Sequence, residues 1–214
     1  MKILIFANGE NHLEFSDIED ILPIDKIICA DGGTKKALEL GLLPNIIVGD
    51  LDSFPKEIGE KLVSSKIEWK IYPKEKDKTD LELAVREALN YNPEVIYFIG
   101  LLGGRIDHLL ANLFFLERIK ENRIEILVID KNIRISIMKG QEEKSFFGDK
   151  GDLISLIPFS EVVEGISSEG LKYPLYNESL YRNLTRGISN EFTQNIAQIK
   201  IKSGTLLIIH FIKK

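Results

Sequence analysis

Short runs of apolar residues, each followed by a polar or glycine-rich cluster, recur through the first 130 residues of the chain. Apolar runs of this length, rich in β-branched side chains, are typical of strands buried on both faces of a sheet. The pattern therefore predicts five strands in this part of the chain. They are Lys2–Ala7, Lys26–Ala30, Asn45–Val48, Glu94–Ile99 and Ile124–Ile129.

Two segments between these strands carry apolar residues at helical spacing. One includes Leu81, Ala84 and Leu89, and the other extends from Leu109 to Leu116. Strands that alternate with helices predict a parallel sheet covered on both faces. The polar clusters then lie at the carboxyl ends of the strands, the edge at which open α/β sheets bind ligands. Residues 1–130 are therefore predicted to form an α/β domain with an open parallel sheet.

The pattern changes after residue 131, where apolar residues alternate with polar ones, as in Ile199-Lys200-Ile201. Strands without intervening helices predict a small antiparallel sandwich or barrel over residues 131–214. The predicted strands of this second domain are Ile133–Ile137, Leu153–Ile157, Ile199–Ile201 and Thr205–Ile212.

Composition places the chain among ordinary globular proteins. Of its 214 residues, 44% are hydrophobic and 29% charged, and the net charge of −5 gives no support for nucleic-acid binding. No apolar stretch approaches the ~20 residues of a membrane span, and the N-terminal run is too short for a signal peptide, so we expect a cytoplasmic protein. The single cysteine, Cys29, excludes a disulfide framework and is predicted to be a buried core thiol.

Three polar clusters carry the candidate chemistry: Gly49-Asp50-Leu51-Asp52-Ser53, Asp77-Lys78-Thr79-Asp80 and Gly103-Gly104-Arg105-Ile106-Asp107-His108. Each has a structural explanation when taken alone. Thr79 with Glu82 fits a capping box, Asp107 can cap the next helix, and the carboxylates of the first cluster are ordinary in turns.

Taken together, the clusters indicate a metal. If the loops share one sheet edge, several carboxylates converge, and two such charges ~4 Å apart repel by about 4 kcal/mol at an effective dielectric near 20. A cation is needed to hold them, and oxygen ligands without nearby His or Cys pairs favour Mg²⁺. Mg²⁺ bound by a few carboxylates usually shares its coordination shell with substrate phosphates, so the pattern indicates phosphoryl chemistry.

The glycines and one arginine support phosphate binding. Asp31-Gly32-Gly33 and Gly103-Gly104 offer backbone N–H groups without side chains, and Arg105 can form a bidentate clamp on phosphate oxygens. Neither a P-loop nor the dinucleotide-binding glycine fingerprint is present in the sequence. The chain is therefore neither a P-loop kinase nor a typical dinucleotide-binding protein.

The three clusters resemble the three motifs of thiamine pyrophosphokinases, in the same order and at similar spacing. In the second half, Gly170–Leu175 and Gly187-Ile188-Ser189-Asn190 are similar to the thiamine-binding segment of that family. The resemblance spans nearly the whole chain. It implies an N-terminal α/β domain that binds ATP, a C-terminal β-sandwich that binds thiamine, and a homodimer whose active-site cleft both subunits can line.

The resemblance also implies roles for individual residues. Asp50, Asp52 and Asp80 would hold Mg²⁺ and the ATP phosphates, with Asp52 and Asp80 counted as catalytic. The other ATP-binding residues that it implies are Asn8, Asp31, Gly32, Gly33, Asp77, Lys78, Thr79, Gly103 and Gly104.

Five further residues complete the implied site. Arg105 would steady the transferred group, and Asp107 would lie near the attacking hydroxyl as the candidate general base. Ser189 and Asn190 would contact thiamine. Tyr173 stands where many members of the family have Trp; it can cover a cationic ring, or it can be simple core packing.

The implied reaction is an in-line attack of the thiamine hydroxyl on the β-phosphorus of ATP, with AMP leaving. Three alternatives stay open at the level of the sequence. Asp50-Leu51-Asp52 can be the nucleophile and acid of a phosphatase, although such motifs usually follow the first strand. The chain can be a non-catalytic nucleotide sensor, or a pyrophosphokinase with a different alcohol as acceptor.

Overall fold

The computed structural model describes residues 1–10, 13–50, 66–73, 75–121 and 123–213. The chain divides into two compact units, each with its own core. The first comprises Met1–Leu109 with Ile129–Lys131, and the second comprises Leu110–Val128 with Asn132–Lys214. The ligand assignments predicted for residues 1–130 and 131–214 stay predictions.

The first unit is built on parallel strands. They are β1 (Lys2–Phe6), β2 (Lys26–Ala30), β3 (Ile46–Gly49), β4 (Glu68–Ile71) and β5 (Val95–Ile99). They pair in the order β5-β1-β2-β3-β4, with every pair parallel. The carboxyl ends of these five strands therefore share one edge of the sheet, here called the carboxyl edge.

Helices lie between and after these strands along the chain. They are α1 (Gly33–Glu39), α2 (Asp80–Leu89) and α3 (Ile106–Lys120), of which α3 continues into the second unit; two short 3₁₀ helices span Phe15–Asp17 and Glu19–Ile21. Both α1 and α2 pack against β1 and β2. Residues Ile3 to Phe6 of β1 are completely buried, as expected for a strand covered on both faces.

The second unit contains two antiparallel sheets. Strands of one sheet lie in the order β12 (Asn190–Glu191), β9 (Leu153–Pro158), β14 (Thr205–Phe211) and β7 (Ile133–Lys139). The other has the order β11 (Glu178–Tyr181), β10 (Val162–Glu169), β13 (Ile196–Ile201) and β8 (Glu142–Phe147). A further strand, β6 (Glu125–Asp130), precedes them along the chain.

Buried apolar residues from both of these sheets form one core. Ile154 and Ile208 come from one sheet, and Val163, Ile199 and Ile201 from the other, with Phe192 among them. In β13 every second residue is buried, which matches the predicted alternation. A core shared by two antiparallel sheets is that of a sandwich, so the predicted fold class is confirmed.

The structure confirms most predicted elements and adds several. Each of the five strands predicted before residue 130 is present to within one residue at either end. The additional elements were not predicted because their sequences are polar or interrupted. In β4, for example, Ile71 is 63% exposed, and in β8 exposed and half-buried residues alternate.

Two further expectations bear on the class of protein. Among the described residues, no helix combines the length and the hydropathy that a bilayer span requires. Cys29 is completely buried, as predicted, and burial raises the pKa of its thiol to about 12. The side chain of Thr34 is buried as well.

Candidate functional site

The loops after β1 and β2 lie against each other at the carboxyl edge. Position 32 has no room for a side chain, because a Cβ on Gly32 would lie 2.2 Å from Asn8 Oδ1. Gly33 is buried at the start of α1, and a Cβ there would lie 2.2 Å from the carbonyl oxygen of Phe6. The sequence suggested that these glycines approach a phosphate. The structure provides a packing reason as well, because both allow α1 to begin directly beside β1.

Asp31 is held in an unusual conformation at the same edge. Its φ of 46° is in the left-handed region, which is uncommon for a residue with a side chain. Its N–H donates to the carbonyl of Val48 at 2.8 Å, and a Cβ on Gly49 would lie 3.3 Å from its Oδ1. The loop of Asp31 is therefore locked to the end of β3, where Asp50 directly follows.

The loop after β5 is fitted to the loop after β1 in the same way. Gly9 donates its N–H to the carbonyl of Gly100 at 2.8 Å, and Gly100 has a φ of 76°. Gly103 and Gly104 also have positive φ, of 84° and 70°. A Cβ on Gly103 would lie 3.1 Å from the carbonyl oxygen of Glu10, whereas one on Gly104 would meet nothing within 4 Å. Only Gly104 of this pair is open to an incoming ligand.

The cluster before α2 combines a helix cap with an ion pair. Thr79 Oγ1 accepts a hydrogen bond from Glu82 N at 3.2 Å, which is one of the two bonds of the predicted capping box and makes Thr79 the N-cap of α2. Asp80 Oδ1 is buried and lies 2.8 Å from Lys76 Nζ, although the two groups lack hydrogen-bond geometry. The contact is thus an ion pair, and a buried carboxylate oxygen without a hydrogen bond suits a cation. Asp77 and Lys78 are exposed beside it.

Lys76 is not among the predicted site residues, although its spacing of four residues from Asp80 is a signal of an ion pair. Its side chain is only 15% exposed. The Lys76 ammonium therefore lies against the Asp80 carboxylate, at the position predicted for Mg²⁺.

Arg105 and Asp107 are paired with each other. Arg105 Nε donates to Asp107 Oδ1 at 3.0 Å, a second bond joins the guanidinium to Oδ2, and His108 N also donates to Oδ1 at 3.0 Å. The guanidinium lowers the pKa of the Asp107 carboxyl to about 2. Both side chains are exposed, so the pair can open when a substrate phosphate competes for the guanidinium. In the paired state Asp107 is a weak base.

The predicted metal ligands are only partly described. In the described ranges, no group of three or more His, Cys, Asp or Glu side chains is arranged to hold a metal ion. Asp50 directly follows β3 and Asp80 begins α2, but Asp52 lies outside the described residues. The three-carboxylate set therefore stays a prediction.

A pocket of about 220 Å³ opens in the second unit. Its described lining residues come from three parts of the chain and are mostly apolar or uncharged: Leu156, Tyr173, Pro174, Leu175, Arg186, Gly187, Ile188 and Asn190. Tyr173 is 64% exposed, so the interpretation of its ring as simple core packing is wrong. The ring is accessible to a ligand in the pocket.

Asn190 builds the wall of this pocket. Its amide forms two hydrogen bonds with the backbone of Tyr173: Tyr173 N donates to Oδ1 at 3.0 Å, and Nδ2 donates to the Tyr173 carbonyl at 2.7 Å. Glu191 N also donates to Oδ1, at 2.9 Å. The side chain is 6% exposed and largely occupied, so it positions Tyr173 in addition to lining the pocket.

Ser189 lies next to this wall but is exposed. Its φ is 56°, and its N–H donates to Ser155 Oγ at 3.0 Å. The structure thus places Tyr173 and Asn190 at the pocket and Ser189 beside it. Arg186, Gly187 and Ile188 also line the pocket, and the sequence alone gave no signal for Arg186.

Comparison with known proteins covers both parts of the chain. A family model described as the thiamin pyrophosphokinase catalytic domain matches residues 23–128, and one described as the thiamin pyrophosphokinase vitamin B1 binding domain matches residues 132–206. A thiamine pyrophosphokinase of Bacillus subtilis is 34% identical over 182 residues, which cover 85% of each chain.

Two further comparisons agree. Thiamin pyrophosphokinase 1 of Caenorhabditis elegans is 28% identical over 219 residues, covering 97% of this chain and 87% of the relative. A crystal structure of thiamine pyrophosphokinase from Bacillus subtilis aligns over 100% of both chains with a TM-score of 0.88 and 30% identity.

Proposed function

We propose that this chain, which belongs to the thiamine pyrophosphokinase family, transfers the terminal pyrophosphate of ATP to the hydroxyethyl group of thiamine, giving thiamine diphosphate and AMP. The observation that carries the proposal is the match of the catalytic and vitamin B1 binding models to successive parts of one chain. Two features support it. Carboxylates and glycines lie at the carboxyl edge, and a pocket with Tyr173 in its lining lies in the second unit.

In the proposed reaction, the thiamine hydroxyl oxygen forms a bond to the β-phosphorus, and the bond from this phosphorus to the α,β-bridging oxygen breaks. AMP leaves with the bridging oxygen, and the hydroxyl proton passes to solvent or to a weak base. Catalysis of this kind depends mainly on positioning and on neutralising phosphate charge. In the free protein Asp107, with a pKa of about 2, would hold Arg105 in place until the phosphates bind.

Mg²⁺ is the proposed metal, held by Asp50, Asp52 and Asp80. When bound, it would neutralise charge on the phosphates. The buried Asp80 oxygen, which faces the Lys76 ammonium at 2.8 Å without hydrogen-bond geometry, supports a cation at this position. Lys76 would be displaced from Asp80 toward the phosphates, so that this ammonium keeps a negatively charged neighbour.

The remaining predicted ATP contacts would be made at the same edge. Asn8, Asp31, Gly32 and Gly33 would line the nucleotide side, and Asp77, Lys78 and Thr79 would assist at the phosphates. Backbone N–H groups of Gly103 and Gly104 would face phosphate oxygens, with Gly104 the more open of the two. Arg105 would leave Asp107 to clamp the transferred group.

Thiamine would occupy the pocket of the second unit, with Tyr173 against its cationic thiazolium ring. Asn190 would hold Tyr173 in place, and Ser189 would contact the ligand from the rim. We also propose that the chain forms a homodimer, as the family resemblance implies, and that it acts in the cytoplasm.

The decisive experiment incubates the purified protein with ATP, Mg²⁺ and thiamine and separates the products by chromatography. Thiamine diphosphate and AMP are expected in equal amounts. ADP with thiamine monophosphate would show attack on the γ-phosphorus. Tight ATP binding without thiamine-dependent turnover would indicate a nucleotide sensor, and hydrolysis of a generic phosphoester without thiamine would indicate a phosphatase.

A further inference from the structure

The pocket of the second unit carries a charge that does not suit its proposed ligand. Among its described lining residues, Arg186 is the charged one. Thiamine has a permanent positive charge on its thiazolium ring. An unpaired guanidinium at the rim would therefore repel thiamine and attract its anionic phosphate esters.

Glu178 removes this conflict. One oxygen of its carboxylate, Oε2, accepts a hydrogen bond from Arg186 NH2, so the two residues form an ion pair. The other oxygen, Oε1, is 3.4 Å from Tyr176 N, which donates to it. The carboxylate thus lies between the segment after Tyr173 and the segment that carries Arg186, while its own side chain does not line the pocket.

The exposure of this pair fits an electrostatic role better than a stabilising one. Arg186 and Glu178 side chains are 57% and 31% exposed. Ion pairs as exposed as this one contribute little to folding free energy. Their removal changes the charge at the rim of the pocket without removing buried contacts.

We propose that Glu178 determines the specificity of this pocket: by neutralising Arg186, it favours cationic thiamine over the anionic phosphate esters of thiamine. The inference rests on the proposed function, since it takes thiamine as the ligand. It also implies that the product, which carries a diphosphate, gains no attraction from Arg186 and leaves readily.

A series of four proteins tests the proposal by changing only the charge at the rim. With the paired wild type taken as neutral, E178Q adds one positive charge, R186Q leaves one negative charge, and E178Q/R186Q is neutral again. The full-length proteins are titrated by calorimetry at low ionic strength with thiamine and, separately, with thiamine monophosphate.

The expected shifts have opposite signs for the two ligands. In E178Q the Kd for thiamine should rise about 3- to 10-fold and that for thiamine monophosphate should fall by a similar factor, the size expected for exposed unit charges ~6–8 Å apart. R186Q should shift both constants in the other direction. The double variant should return both dissociation constants toward the wild-type values. At ~0.5 M salt, the differences in Kd between the four proteins should become smaller.

Glu143→Gln is the matched control. Glu143 in β8 forms an exposed ion pair with Lys200 in β13 at 3.4 Å, and neither residue lines the pocket. This variant should leave both dissociation constants within twofold of wild type. Thermal unfolding of all five proteins checks that the substitutions leave the fold intact.

The outcomes separate this inference from the proposed function. Shifts of the same sign in E178Q and R186Q, a flat series, or no thiamine binding by the wild type would overturn the inference. If the wild type forms AMP with thiamine but the series is flat, only the inference fails. If the series follows charge but no AMP forms, the proposed reaction fails and the role of Glu178 stands.

Discussion

The carboxyl edge of the first unit and the pocket of the second unit hold their side chains by different means. At the edge, the charged groups are paired with one another: Asp80 with Lys76, and Asp107 with Arg105. At the pocket, a buried amide fixes the backbone of Tyr173 through two hydrogen bonds. The charged side chains at the edge must exchange their ion-pair partners when the ligand binds, whereas the wall of the pocket is already formed in the free protein.

The difference follows from the ligands that the two regions are proposed to take. Phosphates and Mg²⁺ bring their own charges, so the residues that meet them need temporary counter-ions in the free protein. A heteroaromatic cation needs a shaped surface, and a wall fixed by buried hydrogen bonds lowers the entropy cost of binding. Substitutions at the edge should therefore act on kcat and metal dependence, and those at the pocket on the KM for thiamine.

The largest effect is expected for Asp80→Asn. Loss of this carboxylate should lower kcat by a factor on the order of 10²–10³ and raise the Mg²⁺ concentration needed for half-maximal activity. Asp107→Asn should lower kcat by only about 10-fold, since the proposed transition state needs little base help. Steady-state kinetics at several Mg²⁺ concentrations measures both.

Glu82→Gln is the control for this pair of variants. Glu82 lies on the same helix and is also paired with a lysine four residues earlier, Lys78, at 3.7 Å. Its substitution should leave kcat near the wild-type value. Equal losses of kcat in the Asp80 and Asp107 variants, or an unchanged Mg²⁺ requirement in Asp80→Asn, would contradict the proposed roles.

The next effect is expected at Asn190. Asn190→Ala leaves the N–H and the carbonyl of Tyr173 without their partners, so the free energy of unfolding should fall by about 1–3 kcal/mol. The KM for thiamine should rise about tenfold, equivalent to ~1.4 kcal/mol, while the KM for ATP stays constant. Urea unfolding and steady-state kinetics provide the two measurements.

Ser189→Ala distinguishes a residue that contacts the ligand directly from one that, like Asn190, supports the wall of the pocket. Its exposed hydroxyl should contribute nothing measurable to stability, and the KM for thiamine should rise if the hydroxyl contacts the ligand as proposed. A loss of stability in Ser189→Ala as large as in Asn190→Ala would show that both residues merely support the fold.

A third pair of variants distinguishes the packing glycines from the open one. Gly33→Ala places a Cβ 2.2 Å from the Phe6 carbonyl oxygen, so stability should fall by about 3 kcal/mol. Gly104→Ala meets no neighbour within 4 Å and suffers only from its positive φ, a cost of about 1 kcal/mol. Urea unfolding should rank the two variants in this order. A several-fold rise in the KM for ATP is expected for Gly104→Ala if its N–H faces a phosphate.

The smallest effect concerns pH. The pKa of Asp107 is depressed to about 2, so its charge is present above that value and is lost only as the pH falls through it. Between pH 5 and 9 the pair with Arg105 therefore stays ionised. The acidic limb of a kcat/KM profile in this range should be the same in wild type and Asp107→Asn. An acidic limb that disappears in the variant would identify Asp107 as the titrating group.

Local patterns were sufficient for the order of elements and for the position of the polar clusters. Buried strands such as β1 and β2 are continuous apolar runs, and each is followed by a residue of the predicted site, because parallel strands end at one edge. Elements that contact solvent on one side were missed. β4 lies at the end of the parallel strand order, and the short α1 begins at Gly33, so neither carries an apolar signal.

The chain's residue order therefore determined its α/β-then-β class, the burial of Cys29 and the candidate residues at the strand ends. Only the tertiary structure decided which distant segments meet: Asp31 with Val48, Gly9 with Gly100 and Asn190 with Tyr173. The physical reason is separation along the chain. Hydrophobic periodicity is a property of neighbouring residues, whereas the partners in these hydrogen bonds are far apart in sequence and meet only where the fold brings them together.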